Sequence, residues 1–427
     1  MKSKIFTLLA AAAAVSSAFA AEGLYYVGSE AQESLPLKWT VGTDLTWDDN
    51  PTPTGGTIIN PVTGLPYKED SVLSLGGYAG LSFVNISPQS TLDVYARVGA
   101  IYYFDKPAAQ QDDWTPEARI GVNWTRRFTE RLRFSTRNFF AYEMEPNYAY
   151  GFATNRQTDP YFYWQTDNSI GYRWTERFAT YTGFSVTGLD YDNTVQNSDR
   201  LTFGFYQQFR YQLNPRSVLT FDYRYSQTEA DGLASDSSSH YLLAGIEHRF
   251  SPNTILIARA GAQIRRSDAV FGSDGTNPFV ELALRSQINS QFSVRAFARY
   301  SSEVYDTTRG VATLGGAGLY DFDDRRTLRL GISSEYAISP MFSLFGGIDY
   351  IPASFDDGRL VGVTAGAPAL TTGGIDEDLW NAYIGLSVKF TDYLYGTLSY
   401  NYTDSSSDFI GYNYDRNRVS VGLRAEF

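Results

Sequence analysis

The chain has 427 residues, no cysteine, 47 acidic against 35 basic side chains and a formal net charge of −12. That excludes a disulfide framework and offers no basic surface for nucleic acid, so no nucleic-acid partner is expected. Aromatics reach 16% while charged residues make up 19% and mean hydropathy is −0.29; a mildly polar chain this rich in rings suits alternating faces better than continuous apolar runs.

Met1-Lys2-Ser3-Lys4, an apolar stretch from Ile5 to Val15 and Ala18-Phe19-Ala20 make up a basic start, a short apolar centre and an A-x-A end. This is the pattern of a secretory signal peptide over residues 1–20, cleaved after Ala20. Residues 21–37 are expected to be a short periplasmic segment, far too short for the plug domain of an energy-coupled transporter. Beyond the leader no run approaches the ~20 apolar residues of a spanning helix. If the chain crosses a membrane, it does so with strands.

Eight short turns then recur: Ser87-Pro88-Gln89-Ser90, Thr129-Glu130-Arg131, Thr175-Glu176-Arg177, Asn214-Pro215-Arg216, Ser251-Pro252-Asn253, Asn289-Ser290-Gln291, Ser339-Pro340-Met341 and Thr391-Asp392-Tyr393. A leading Ser, Thr or Asn, often followed by Pro, is type I turn chemistry. Longer loops rich in Asp, Gly, Asn and Ser lie between successive turns, at Asp49–Asp70, Asp190–Asp199, Glu229–Ser239 and Asp268–Asn277. Short turns at one end and long loops at the other are the layout of a transmembrane barrel. Counting strands between these markers predicts an all-β, antiparallel up-and-down barrel over residues 38–427. It has 18 strands, from Lys38–Asp48 to Arg418–Phe427, with 16 or 20 as the neighbouring counts. Asp306–Asp324 and Pro352–Glu377 are read as long external loops.

The alternation separates two faces. Val419, Val421, Leu423, Ala425 and Phe427 share one side of the last strand, against Arg418, Ser420, Gly422, Arg424 and Glu426. Trp380, Ala382, Ile384, Leu386, Val388 and Phe390 oppose Asn381, Tyr383, Gly385, Ser387 and Lys389 in the same way. A period of two puts one set in lipid and the other in water or polar packing. From Trp380 to Phe390 the strand projects to roughly 25 Å, the height of an apolar band between two aromatic girdles.

The inward phase supplies the candidate pore-lining residues: Arg97, Arg119, Arg137, Arg173, Arg210, Arg224, Arg259, Arg285, Arg295, Arg299, Arg329 and Arg424, with Asp93, Asp222, Glu281, Glu335 and Asp349. Arginines facing carboxylates can line a water-filled pore and filter solutes by charge and size. The same pairs could instead close a barrel that never conducts. An 18-stranded wall is wider than side chains alone can fill, which favours a channel for small hydrophilic solutes unless a loop folds inward. Charge selectivity stays open, since arginines on the wall point to anions and acidic loops to cations. Inward Tyr95, Tyr103, Tyr163, Tyr181, Tyr206, Tyr383 and Tyr395 could serve as a sugar-stacking slide or as scaffolding.

Ser420 to Phe427 looks like the C-terminal signal read by the barrel-assembly machinery, with Gly422 and Phe427 at its key places and Ala425 a weak third-last hydrophobe. The Ser-Pro and Thr-Glu-Arg turns and the closing Tyr414-Asp415-Arg416-Asn417-Arg418 resemble the outer-membrane β-barrel porin families of Gram-negative bacteria. The resemblance implies a barrel in the outer membrane, in contact with lipid and lipopolysaccharide. A homotrimer is one oligomeric state it suggests, and it adds little about a solute. Neither enzyme activity nor a cofactor or metal is expected: the two histidines, His240 and His248, assemble no catalytic set. The Asp-rich pieces Asp321–Asp324 and Asp376–Asp378 lack the ligand spacing of a calcium loop. The rival readings are a non-conducting surface barrel, acting as adhesin or anchor through its loops, and a component of polysaccharide or fatty-acid transport.

Overall fold

A sequence that alternates with period two must pair every strand edge before it can sit in hydrocarbon, and closure is the only arrangement that leaves no edge. A computed structural model describes residues 34–51, 71–105, 113–144, 160–192, 199–231, 236–268, 274–303, 308–313, 316–322, 325–366, 370–409 and 413–427. The leader, most of the segment 21–37 and parts of the long loops lie outside these residues.

The wall begins with β1 (Leu35–Asp48), β2 (Val72–Ile86), β3 (Ser90–Tyr103), β4 (Trp114–Arg127), β5 (Leu132–Glu143), β6 (Tyr161–Arg173) and β7 (Phe178–Tyr191). It continues with β8 (Arg200–Asn214), β9 (Ser217–Ala230), β10 (Ser237–Ser251), β11 (Thr254–Ser267), β12 (Gly275–Gln287) and β13 (Phe292–Glu303). After two strands outside the wall, β14 (Thr308–Thr313) and β15 (Gly316–Phe322), it resumes with β16 (Arg325–Ala337), β17 (Phe342–Tyr350) and β18 (Ala353–Phe355). Then follow β19 (Gly358–Gly366) and β20 (Thr371–Thr372), again outside, and β21 (Ile375–Lys389), β22 (Leu394–Ser407) and β23 (Tyr414–Glu426). Because β17 and β18 both pair with β16 and β21, they are two pieces of one wall strand. The barrel therefore has 18 antiparallel strands, as the turn spacing predicts, and the β1–β23 pairing closes it. Its first strand starts three residues earlier than expected, at Leu35, and its last at Tyr414.

Stepping once around the wall, from each residue to its directly facing partner, returns to β1 displaced by about 22 residues. With about 4.8 Å between strands and about 3.3 Å per residue, that stagger sets a tilt of ~40° and a backbone diameter of roughly 36 Å.

All eight short turns form where the sequence puts them, and their leading residues explain why. The Thr129 hydroxyl accepts the Leu132 N–H at 2.9 Å, and Thr175, Ser339 and Thr391 accept the N–H three residues on in the same way. Asn289 does so with its side-chain oxygen. Such a bond fixes the reversal locally, before any strand has paired. At the seam Trp39 and Phe427 exchange backbone bonds of 3.0 and 2.9 Å, Thr46 meets Ser420 at 2.8 Å, and Arg416 reaches Asp48 with its Nε at 3.0 Å.

The long loops hold a correction. Asp306–Asp324 and Pro352–Glu377 are not plain loops: β14, β15, β19 and β20 pair in that order into a second, four-stranded sheet, while β18 and the start of β21 extend the wall into the second stretch. Tyr320 and Phe322 of the small sheet pack on Ala353, Phe355, Ile375 and Phe409. Phe322, Phe355 and Phe409 meet edge to face, with centroids 4.9 to 5.6 Å apart. Phe355 faces Arg325 and Ile375, which continue the inward phase, so the small sheet rests on the lumenal side of the long-loop rim.

Candidate functional site: the inner wall

Alternation decides what the lumen sees. Trp39, Trp47, Trp114 and Trp174 stand exposed on the outer face, with aliphatic residues between the two rims. Each candidate arginine and carboxylate takes the opposite phase, on the inner face of β3–β13, β16, β17 or β23. The candidate residues therefore share one face of the wall, and they do not stand as a row of separate charges.

The densest part spans β8 to β12. Arg210 donates to both oxygens of Glu247, at 2.8 and 2.5 Å, and to Gln208 at 2.8 Å; Gln208 in turn donates to Asp222. Arg259 stands between three carboxylates, Glu281 at 3.2 Å, Asp222 at 3.3 Å and Glu247 at 3.4 Å. Arg224 adds a second contact to Glu281 at 3.4 Å. Arg210 is 0% and Arg259 2% exposed, so these charges are stabilised by one another rather than by bulk water.

Smaller groups lie around the rest of the wall. Arg329 clamps Glu303 with two bonds of 3.0 and 2.9 Å, with Arg325 at 3.7 Å from the same carboxylate. Arg119 forks onto Glu143, its second bond 2.8 Å, and Tyr161 donates to that carboxylate at 3.4 Å. Half-exposed Arg97 lies over the Tyr78 ring at 3.7 Å and reaches Asp44 at 3.5 Å. Arg137 directly faces Asp167, Asn123 donates to Asp93 at 3.5 Å and Asn381 to Asp349 at 3.4 Å. Glu335 faces Ser293, next to Arg295, and Arg424 meets Glu426 at 3.1 Å. Arg173 faces Ala179 across β6–β7, and Arg285 faces Ile255 and Arg295.

Four arginine pairs face each other directly: Arg97 and Arg119, Arg127 and Arg133, Arg285 and Arg295, Arg299 and Arg329. Like charges directly opposite weaken a sheet, and in two of these pairs a carboxylate offsets one or both arginines: Asp44 at Arg97, Glu143 at Arg119 and Glu303 at Arg329. The sequence reading missed Glu143, Glu303, Arg325, Asp48 and Arg416. Each lies on the inward phase: Glu303, Arg325 and Arg416 two to four residues from Arg299, Arg329 and Arg418, Glu143 six past Arg137, and Asp48 at the end of the expected first strand, so extending the alternation would have found them.

Three of the inward tyrosines lie over the backbone of a neighbouring strand. The Tyr95 ring occupies the place a Cβ on Gly121 would take, Tyr181 does the same over Gly171 and Tyr206 over Gly183. That is scaffolding, in which a ring on one strand covers the bare backbone of the next. At the short-turn rim Lys389 donates to Asp392 at 2.8 Å and holds that carboxyl below its usual range. Among the described residues no group of three His, Asp or Glu stands together to hold a metal ion. His248 bonds Ser217 at 2.9 Å and His240 bonds Tyr223 at 3.0 Å, both on the outward phase. Gly422 leaves room for the Asp44 side chain, and Phe427 stands exposed beside the seam; both have structural work there apart from any assembly signal.

No protein family and no curated protein matches the chain. Solved structures do. The outer membrane protein OpdK from Pseudomonas aeruginosa is 12% identical with a TM-score of 0.44, covering 92% of this chain and 99% of its own. OccAB4 from Acinetobacter baumannii gives the same figures. The siderophore receptor PirA from Acinetobacter baumannii is 7% identical with a TM-score of 0.43, covering 93% of this chain and 81% of its own. At this level the likeness is of one barrel to another and carries nothing about solute, gating or assembly.

Proposed function

We propose that the chain is an outer-membrane channel through which small hydrophilic solutes diffuse passively. The observation that carries this reading is the size of the closed wall together with its polar inner face. Side chains reaching ~7 Å inward from a roughly 36 Å backbone circle leave a core of about 20 Å that the wall itself does not fill. The outer band between two aromatic girdles is a surface made for a bilayer, and the leader over residues 1–20 would deliver the chain to the Gram-negative envelope.

Arginines set directly opposite one another favour small anions over cations of equal size. Liposome swelling tests the reading: vesicles carrying the refolded mature chain should swell in iso-osmotic small sugars and amino acids, faster for anionic than for cationic ones. Vesicles that swell no faster than protein-free ones would overturn it.

One observation favours the second reading, a barrel closed at its surface. The small sheet packs over the lumenal side of the long-loop rim through its own aromatic core. It narrows that mouth, and the swelling assay on a variant without the sheet separates a narrowed channel from a closed anchor.

A further inference from the structure

Lipid-facing positions of the wall are aliphatic or aromatic at mid-height on most strands, such as Leu256, Ala258 and Ala260 on β11 or Val294, Ala296 and Ala298 on β13. Single hydroxyls interrupt it elsewhere, as Thr43 does on β1 and Ser334 on β16, but four adjacent strands break it together on the outward phase. Thr136 and Asn138 interrupt β5 between Phe134 and Phe140, and Thr166 and Asn168 interrupt β6 between Trp164 and Ile170. Thr182 precedes Phe184 on β7, and Gln207 lies between Phe205 and Phe209 on β8. The register sets them side by side: Thr136 faces Asn168 and Asn138 faces Thr166 across β5–β6, Thr182 faces Gln207 across β7–β8, and between the two halves Asn168 and Thr182 are diagonal neighbours that directly face Phe184 and Ile170. Aromatics frame this patch towards both rims, so it lies in the middle of the apolar band rather than at headgroup level.

The patch is only partly satisfied within the chain. Asn138 donates to Thr136 at 3.1 Å, Asn168 to Thr166 at 2.9 Å, and Thr182 to the Gln207 oxygen at 2.6 Å. A carboxamide has two N–H donors and an oxygen that accepts twice. The second N–H of each asparagine, both asparagine oxygens and the whole Gln207 amide nitrogen have no further partner among the described residues. Hydrocarbon cannot supply one, and polar groups held at this depth point to protein contact.

On the reading of the barrel as membrane-embedded, we propose that strands β5–β8 carry the contact surface for a second copy of this chain, joined through Asn138, Asn168 and Gln207 with their threonine neighbours. The chemistry selects the occupant. The patch has no charge, so it calls for no oppositely charged partner, and its amides and hydroxyls both donate and accept. A surface of that kind is complementary to itself, and a two-fold axis along the membrane normal sets it against its own copy.

The chain has no cysteine, so single cysteines report without background. Full-length Asn138→Cys, Asn168→Cys and Gln207→Cys are oxidised in native membranes beside Ala298→Cys on β13, which faces lipid in an apolar stretch. The expected result is a covalent dimer from at least one patch cysteine and none from Ala298→Cys. The triple variant N138L/N168L/Q207L should keep its heat-modifiable fold and run in mild detergent at half the native particle mass. No dimer, with patch and control cysteines alike shielded from a water-soluble maleimide, would show an embedded monomer and overturn the proposal. An adduct whose mass is not a multiple of the chain's would overturn it in favour of a different partner. Maleimide labelling of both kinds of cysteine would show that this face is not in lipid, and the membrane reading would fail with it.

Discussion

Arg259 holds apart three carboxylates that would otherwise repel one another across β9, β10 and β12. Replacing it with leucine strands those charges in a buried site, an outcome that costs about 3–5 kcal/mol where one partner of a buried pair is removed. Urea unfolding of the refolded barrel should show that loss for Arg259→Leu, and less for Glu281→Gln, which leaves Arg259 with Asp222 and Glu247 and Arg224 with Asp222 at 3.9 Å. An unfolding midpoint unchanged by Arg259→Leu would mean that water screens the cluster. Glycines make a second prediction at this scale. A methyl group at Gly171 meets the Tyr181 ring, so Gly171→Ala should cost about 1–3 kcal/mol, as overpacking does. Nothing lies within 4 Å of a Cβ added to Gly77, so Gly77→Ala should fall within about 0.5 kcal/mol of the parent. Equal effects at the two positions would refute the ring-over-glycine account. The inward phase of these residues was legible from alternation alone. Which arginine meets which acid was not, because Arg210 reaches Glu247 from two strands away, and that depends on the stagger of the whole wall.

The elements divide by how local their causes are. Each short turn is set by one Ser, Thr or Asn accepting an N–H within three residues, so all eight could be read directly from the chain. Wall strands carry their own period of two and were equally readable. The small sheet was not: Thr308–Thr313 and Gly316–Phe322 are short and Gly-containing, and β15 finds its partner β19 some forty residues later, across two wall strands. Its aromatic core shows only when Phe322, Phe355 and Phe409 are brought together. The prediction at this scale is that replacing residues 308–322 with a short Gly/Ser linker leaves a folded, heat-modifiable barrel whose swelling rate for small solutes rises several-fold. An unchanged rate would mean that the sheet stands clear of the mouth; a barrel that no longer folds would make the sheet part of the fold's foundation.

At the scale of the molecule, 18 strands with a shear of about 22 fix a cylinder too wide for its own side chains to fill. Its outer band, its paired inner charges and its uneven rims all follow from one alternating pattern wrapped round that cylinder. The central claim is that the interior holds continuous water. Conductance of the refolded mature chain in a planar bilayer tests it most directly. The account predicts discrete steps that scale with salt concentration, with a reversal potential under a salt gradient on the anion side. A folded, heat-modifiable barrel that inserts and gives no steps would contradict it and make the chain a closed surface barrel.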